Sequence, residues 1–294
     1  MSAAPNPQRK NGEVRASALG LPLSQLRFVS LNAWGGREWP ALAPWLVDVR
    51  ADILCLQEMI RAPLPSPEWL EYKDPNRRLA QRANLFADVC AMLPSHQAHF
   101  AAAARGPLYD RSGAAHASEH GLAAWVRMDL AITEVFQGFA FGSYRCFGWG
   151  DEPVPRAIQI HRIASPDTGR TLVFAHFHGI REASGKSDTP ARAAQTQAVA
   201  DALEAQLRPG EPAILAGDFN LLPESAFFAT MSDLGLTDLV TTRGHTDTRT
   251  SLYAKPQRFA DYLLVNREVS VEAFDVPGEP EVSDHRPLIL DLVL

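Results

Sequence analysis

Ala213-Ile214-Leu215-Ala216-Gly217-Asp218-Phe219-Asn220 decides the fold: a short apolar run stops at a glycine and hands over to a carboxylate and a carboxamide. A run this short, bounded by turn residues, reads as a strand buried on both faces. Two-residue spacing then sets Asp218 and Asn220 on one side and turns Phe219 to the core. The same construction recurs along the chain. Leu26 to Leu31 ends in Ser30-Leu31-Asn32, and Asp52 to Leu56 runs into Gln57-Glu58. Thr171 to Ala175 leads to His176-Phe177-His178, Phe259-Ala260-Asp261-Tyr262 opens a strand to Val265, and Ser283-Asp284-His285 precedes Leu288 to Val293.

Leu122 to Val126 and Ala157 to Ile163 complete the expected strands, while Trp39 to Val49, Asn84 to Leu93 and Thr189 to Leu207 are spaced as helices, the last with Pro190 in its first turn. Strands interspersed with helices make an α/β fold. A doubly wound sheet and a two-sheet sandwich flanked by helices fit this order equally well. A chain of 294 residues, 46% hydrophobic, can bury one large core, so residues 25–294 are expected to form one domain. Residues 1–24 hold too few apolar groups to offset their ordering entropy and are expected to be a flexible tail. Pro63 to Pro75 is expected to be a loop over the site, where substrate selection can be built.

The net charge of −6 argues against the broad basic surface of a general polyanion binder, though local clusters from Arg156, Arg181, Lys186 and Arg192 stay open beside a solvated-face reading. Cys55, Cys90 and Cys146 are odd in number and widely spaced, and read as small core residues in a reducing compartment. No apolar stretch has the form of a secretory signal or the length of a membrane span, so a cytoplasmic location is expected.

Carboxylates, carboxamides and imidazoles hold hard divalent cations and move protons around a phosphate. Asp218 can orient or deprotonate a water and Asn220 can bind a phosphate oxygen, or the pair can simply form a turn. Asn32 and Glu58 sit at strand ends, as metal ligands or as solvated turn residues. A buried carboxylate fixes the tautomer of a neighbouring imidazole, which pairs His285 with Asp261 and gives Asp284 to the metal. His176 is the better candidate for a phosphate contact or proton donor, with His178 beside it. Alternatively the His-x-His pair 176/178 binds zinc. Trp34, Trp39 and Trp149 lie in loop-like segments as candidate substrate contacts, and His120 reads as a loop residue.

Taken in order, Asn32, Gln57-Glu58, His176, Gly217-Asp218-Phe219-Asn220, Asp261 and Ser283-Asp284-His285 resemble the endonuclease/exonuclease/phosphatase superfamily, the fold of pancreatic deoxyribonuclease. The resemblance runs from about Arg27 to Leu294 and implies a four-layer sandwich of two packed β-sheets flanked by helices. It also implies hydrolysis of a phosphoester with Mg2+ or Mn2+, the substrate being a nucleic acid, a nucleotide or a phospholipid head group. By position it makes Glu58 the main metal ligand with Asn32 and Asp284 close by, gives Asp218 and Asn220 the water and the phosphate, and has Asp261 orient His285. Gly185 to Gln195 and Thr250 to Asp261 resemble a bacterial branch without an assigned substrate. The chain departs from the family at Trp125-Val126-Arg127, where a small polar residue and an arginine are usual, so contacts from that strand are in doubt. A non-catalytic binding module that keeps the fold is a further alternative.

Overall fold

The computed structural model describes residues 15–16, 22–23, 25–74, 77–150 and 152–294. The expected flexible tail over 1–24 lies outside the described residues, apart from the backbone pairing of β1 (Arg15–Ala16) with β2 (Pro22–Leu23). The chain then lays down β3 (Gln25–Asn32), α1 (Trp39–Asp48), β4 (Ile53–Arg61), β5 (Trp69–Asp74), β6 (Arg77–Arg82), α2 (Leu85–Met92), β7 (His96–Tyr109) and β8 (Ala115–Arg127). It continues through β9 (Ala131–Phe141), β10 (Arg156–Ala164), β11 (Thr171–Phe177), α3 (Pro190–Gln206), β12 (Ala213–Asp218), α4 (Ala226–Asp233), β13 (Thr237–Asp238), α5 (Leu239–Thr242) and β14 (Asp261–Val265). The last strands, β15 (Ser270–Asp275) and β16 (Leu288–Val293), return to the first half.

Pairing gives one eight-stranded sheet, ordered β15-β16-β3-β4-β8-β7-β5-β6, and one six-stranded sheet, ordered β13-β14-β12-β11-β10-β9. Strand parity sorts the first sheet cleanly. Leu26 and Phe28 of β3, Ile53 and Cys55 of β4 and Ala124 and Val126 of β8 join the core shared with the second sheet, where Phe28 meets Phe174 edge-on at 5.8 Å. Their neighbours Val29, Leu31, Leu54, Leu56, Ala123 and Trp125 point the other way, onto Leu42, Trp45 and Leu46 of α1 and Leu85 and Val89 of α2. Val199 and Leu203 of α3 and Phe227 and Met231 of α4 pack on the second sheet. The result is the four-layer sandwich of two β-sheets flanked by helices.

Helix starts follow their caps. The Thr189 hydroxyl accepts from Arg192 N at 3.2 Å with Pro190 opening α3, and the Asn84 carboxamide accepts from Ala87 N at 3.3 Å. No helix among the described residues is long and apolar enough to cross a membrane. Three local expectations need correction. Trp69–Asp74, expected within a loop, is strand β5, hairpinned to β6 at the sheet edge, where half-exposed residues mask the alternation. Cys55 is buried but Cys146 is exposed and Cys90 half-buried, so the core reading holds for one cysteine. Trp39 opens α1 and packs, half-buried, against the outer core rather than at a rim.

Candidate active site

Three residues that line one cleft have left-handed backbone conformation. Glu58 has φ 56, Asn220 φ 54 and Trp34 φ 49. Such a residue stores strain of about 1–3 kcal/mol, held only where the surroundings over-determine it. At Glu58 the pairing of β4 with β8 slips between Gln57 and Met59. The bulge breaks alternation, so Gln57 stays between the sheets while Glu58 turns to the cleft. Gly217, with φ 140, lets β11 and β12 close up, since a Cβ there would lie 2.1 Å from the Phe177 carbonyl oxygen.

The cleft holds about 420 Å³ and gathers groups from both sheets. His285 Nδ1 lies 2.8 Å from both oxygens of Asp261, which accept its proton and turn Nε2 toward Asp218 Oδ2, 3.6 Å away. Asn32 Nδ2 donates to the same Asp218 oxygen at 2.9 Å, and Asn220 N donates to Oδ1 at 3.0 Å. Burial pushes the Asp218 carboxyl upward, but His285, His178, Arg249 and Lys186 outweigh it and hold the group well below the usual carboxylate range. Burial raises Asp261, with Asp218 adding to the rise and His285 opposing it. Burial disfavours the His285 imidazolium, yet Asp261, Asp218 and Asp284 raise its proton affinity against Arg249. Arg249 Nη1 donates to His285 Nε2 and, at 3.0 Å, to Asp284 Oδ2. With Asp261 taking the Nδ1 proton, that contact fits the Nδ1–H tautomer, Nε2 accepting from Arg249.

Three cations face these carboxylates. The Arg249 guanidinium stacks on Tyr253 at 4.1 Å. Arg156 Nη1 donates to His178 Nδ1 at 3.3 Å, leaving His178 Nε2 3.5 Å from Asp218 Oδ2. Lys186 donates to the Phe259 carbonyl, and burial lowers its pKa to about 8 against the pull of Asp218. Arg192 does not face solvent either. Its guanidinium donates to Glu182 at 2.6 Å, Ser187 O at 3.0 Å and Gly185 O at 2.9 Å, bracing the loop that carries Lys186.

The donor set fits a hard cation. Asp284 Oδ1 is buried without a hydrogen-bond partner, 3.7 Å from His285 Nε2, and among the described residues the Glu58 carboxylate makes no hydrogen bond or ion pair. Both line the cleft, and Glu58 helps to raise the Asp284 pKa, which burial dominates. Oxygen donors left open in this way suit Mg2+ or Mn2+ better than zinc. The tightest acidic and imidazole group, Asp218, Asp261 and His285 within 4.8 Å of one another, is already tied by the His285–Asp261 hydrogen bonds.

Of the residues singled out in the sequence, Asn32, Glu58, Asp218, Asn220, Asp261, Asp284 and His285 come together. His176 does not reach the cleft. It is fully buried, its Nε2 donates to Gln159 Oε1 at 2.8 Å, and Gln57 Nε2 lies 3.5 Å from its Nδ1. His178, two residues on at the strand end, faces the cleft instead, so the two histidines share no ligand position and the zinc pair is not formed. Sequence reasoning missed Arg249 altogether. It lies in Thr248-Arg249-Thr250, a loop with no periodicity, and only the antiparallel bridge to His285 brings it in. His120, expected in a loop, lies inside β8 and lines the cleft with Trp34 and Trp149. Trp125 of the departing segment points to the outer helices, and Arg127 pairs with Asp52 and Asp129, so neither serves the cleft.

No curated protein matches the chain by sequence. Solved structures do match in fold. An endonuclease/exonuclease/phosphatase from Bacteroides vulgatus is 16% identical with a TM-score of 0.65, covering 92% of this chain and 98% of that one. The mannosyl-6-phosphatase Bt3783 of Bacteroides thetaiotaomicron is 19% identical at a TM-score of 0.65, with 92% and 100% covered. The human Nocturnin catalytic domain with bound sulfate anion is 15% identical at 0.61, with 95% and 99% covered. At such identities the likeness is one of fold. A sequence profile described as the Endonuclease/Exonuclease/phosphatase family matches residues 29–285. With that profile spanning most of the chain and the sandwich shared throughout, the chain belongs to the endonuclease/exonuclease/phosphatase family, a superfamily of phosphoesterases and nucleases.

Proposed function

We propose that the protein is a Mg2+- or Mn2+-dependent phosphoester hydrolase working by in-line attack of water. The observation that carries this reading is the line Asp261–His285–Asp218, ionised at Asp218, facing carboxylate oxygens left open at Glu58 and Asp284. Glu58 and Asp284, with Asn32 beside them, would hold the cation, which when bound supplies charge neutralisation at phosphate oxygens. Asp218, kept anionic by the cations Arg249 and Lys186, accepts a proton from the attacking water and orients its lone pair. Arg156, Lys186 and Arg249 offer N–H donors to the non-bridging oxygens. When a phosphate oxygen takes the Arg249 donor, His285 Nε2 is freed to bind a proton, and Asp261 stabilises the imidazolium. Asn220 Nδ2, set between the Gly179 carbonyl and His178 Nε2 at 3.3 Å each, would turn one N–H from His178 to a phosphate oxygen. His178 replaces His176 as the imidazole beside the reacting group.

A cleft of about 420 Å³ suits a small or short phosphoester better than long duplex DNA, as does the acidic balance of the chain. The test is turnover of a panel of nucleotides, sugar phosphates, lipid head groups and oligonucleotides with Mg2+ or Mn2+, with and without chelator. Hydrolysis that disappears with chelator and returns with Mn2+ is expected. Turnover unaffected by chelator, or none across the panel, would refute the reading, the second outcome leaving a binding module.

A further inference from the structure

The cleft has a second end that the chemistry does not use. Beyond Arg156, whose neighbours are His178 on the catalytic side and His120 on the other, it is walled by Tyr72 and Trp149. Their rings lie 6.2 Å apart at 57°, and the His120 ring meets Trp149 edge-on at 6.3 Å. The indole is fixed in place. It rests on Gly106, where a Cβ would come within 2.5 Å of the ring, and Nε1 donates to the Pro107 carbonyl at 3.1 Å. The Arg77 guanidinium lies 5.4 Å over Tyr72. Beneath both rings is a small apolar cluster of its own, Ile60, Leu70, Ala83 and Leu108, separate from the two main cores. An aromatic wall held this firmly, over an apolar floor and beside an anion site, is built to take a flat face.

We infer that the Tyr72–Trp149 end binds the organic part of the substrate, and that this part carries a ring, the base of a nucleotide or the face of a sugar. The phosphate then sits at Arg156 and the catalytic groups while the ring stacks on Trp149. Both partners of the inference, sugar and base, present the apolar face that an indole stacks on. The inference rests on phosphoester hydrolysis at the Asp218–His285 end, and its test separates the two.

The full chain is assayed with Mn2+ on a hexose phosphate, a nucleoside monophosphate and glycerol phosphate, as wild type and as Trp149→Ala, Trp149→Phe and Tyr72→Leu. At least one ring-bearing ester should be preferred, the better of the two identifying the source. Trp149→Ala should lower its kcat/KM about tenfold, through KM with kcat nearly unchanged, as expected for a lost stacking contact. Glycerol phosphate should be unaffected, and Trp149→Phe should restore most of the loss. A variant that loses equally on ring-bearing and acyclic esters, or a wild type without ring preference, would overturn the inference while leaving hydrolysis standing. Binding is read separately in chelator, where the ring-bearing monophosphates should quench tryptophan fluorescence in wild type but not in Trp149→Phe. Quenching identical in both overturns the inference even if no ester is turned over, and absence of turnover alone refutes only the hydrolase reading.

Discussion

His161 should make the protein sensitive to acid, and its share of the sensitivity can be removed with one substitution. The side chain sits between the sheets with no exposed surface, stacked on Phe174 at 4.8 Å and 8°, with Nε2 3.2 Å from His99 Nδ1 and its own Nδ1 unpartnered. Burial, with a smaller push from His99, lowers its pKa to about 3. The unfolded chain takes up this proton near the ordinary histidine value of about 6.5. Between the two values the unfolded state binds one more proton than the folded state, so stability falls as pH falls. From about pH 6.5 to about pH 4.5 the loss is about 2 kcal/mol, a large part of a typical total of about 5–15 kcal/mol. His161→Phe keeps a ring against Phe174 and removes the titration. It costs about 1–3 kcal/mol from the larger ring, independent of pH. Urea unfolding midpoints, measured at steps between these pH values, should therefore fall less steeply in the variant, by about 1.4 kcal/mol per pH unit. Parallel stability curves for the two proteins would refute the reasoning, because they would mean that His161 is protonated in the folded protein too.

Asp218→Asn removes the one carboxylate that the surrounding cations hold ionised, and turnover should drop at least about a hundredfold. Steady-state kinetics with saturating Mn2+ check this, and activity within tenfold of wild type would exclude Asp218 as the water-activating group. His178→Gln should lower kcat about tenfold or more, whereas His176→Gln should leave kcat near wild type and shift the thermal midpoint, since only the former lines the cleft. Gly217→Ala places a Cβ against the Phe177 carbonyl and should cost about 3 kcal/mol or more in denaturant unfolding. A neutral effect would show that β11 and β12 can separate without consequence.

The central strands were legible because burial on both faces makes them continuous apolar runs, as in Leu26 to Leu31 and Ala213 to Ala216. Strands at or next to the sheet edges were not. β5, β6 and β9 are half exposed and carry charges such as Glu71, Arg78 and Glu134, so their alternation is faint and their identity depends on partners far away in sequence. Two-residue periodicity put His176 and His178 on the same side, which is correct, but it contains no depth. Two residues separate an imidazole under Gln159 from one at the cleft. Asn32, Asp218 and Asp261 were found because they sit where strands end or begin, whereas Glu58 proved to lie inside β4 at its bulge. Arg249 escaped because its place is fixed by Arg258 and Arg286, which grip its carbonyl oxygen at 2.8 Å each, and no local pattern announces such a clamp.

The constellation is divided between the two sheets: β3 and β4 and the approach to β16 carry Asn32, Glu58, Asp284 and His285, while the ends of β11, β12 and β14 carry His178, Asp218 and Asp261. The bonds from Asn32 to Asp218 and from His285 to Asp261 therefore cross from one layer to the other. Turnover in such a design works as a gauge of how the layers register. A slip of one sheet along the other by about 1 Å would cost about a hundredfold in turnover while helices and strands stayed intact. On gentle heating, activity should vanish before the circular dichroism signal changes.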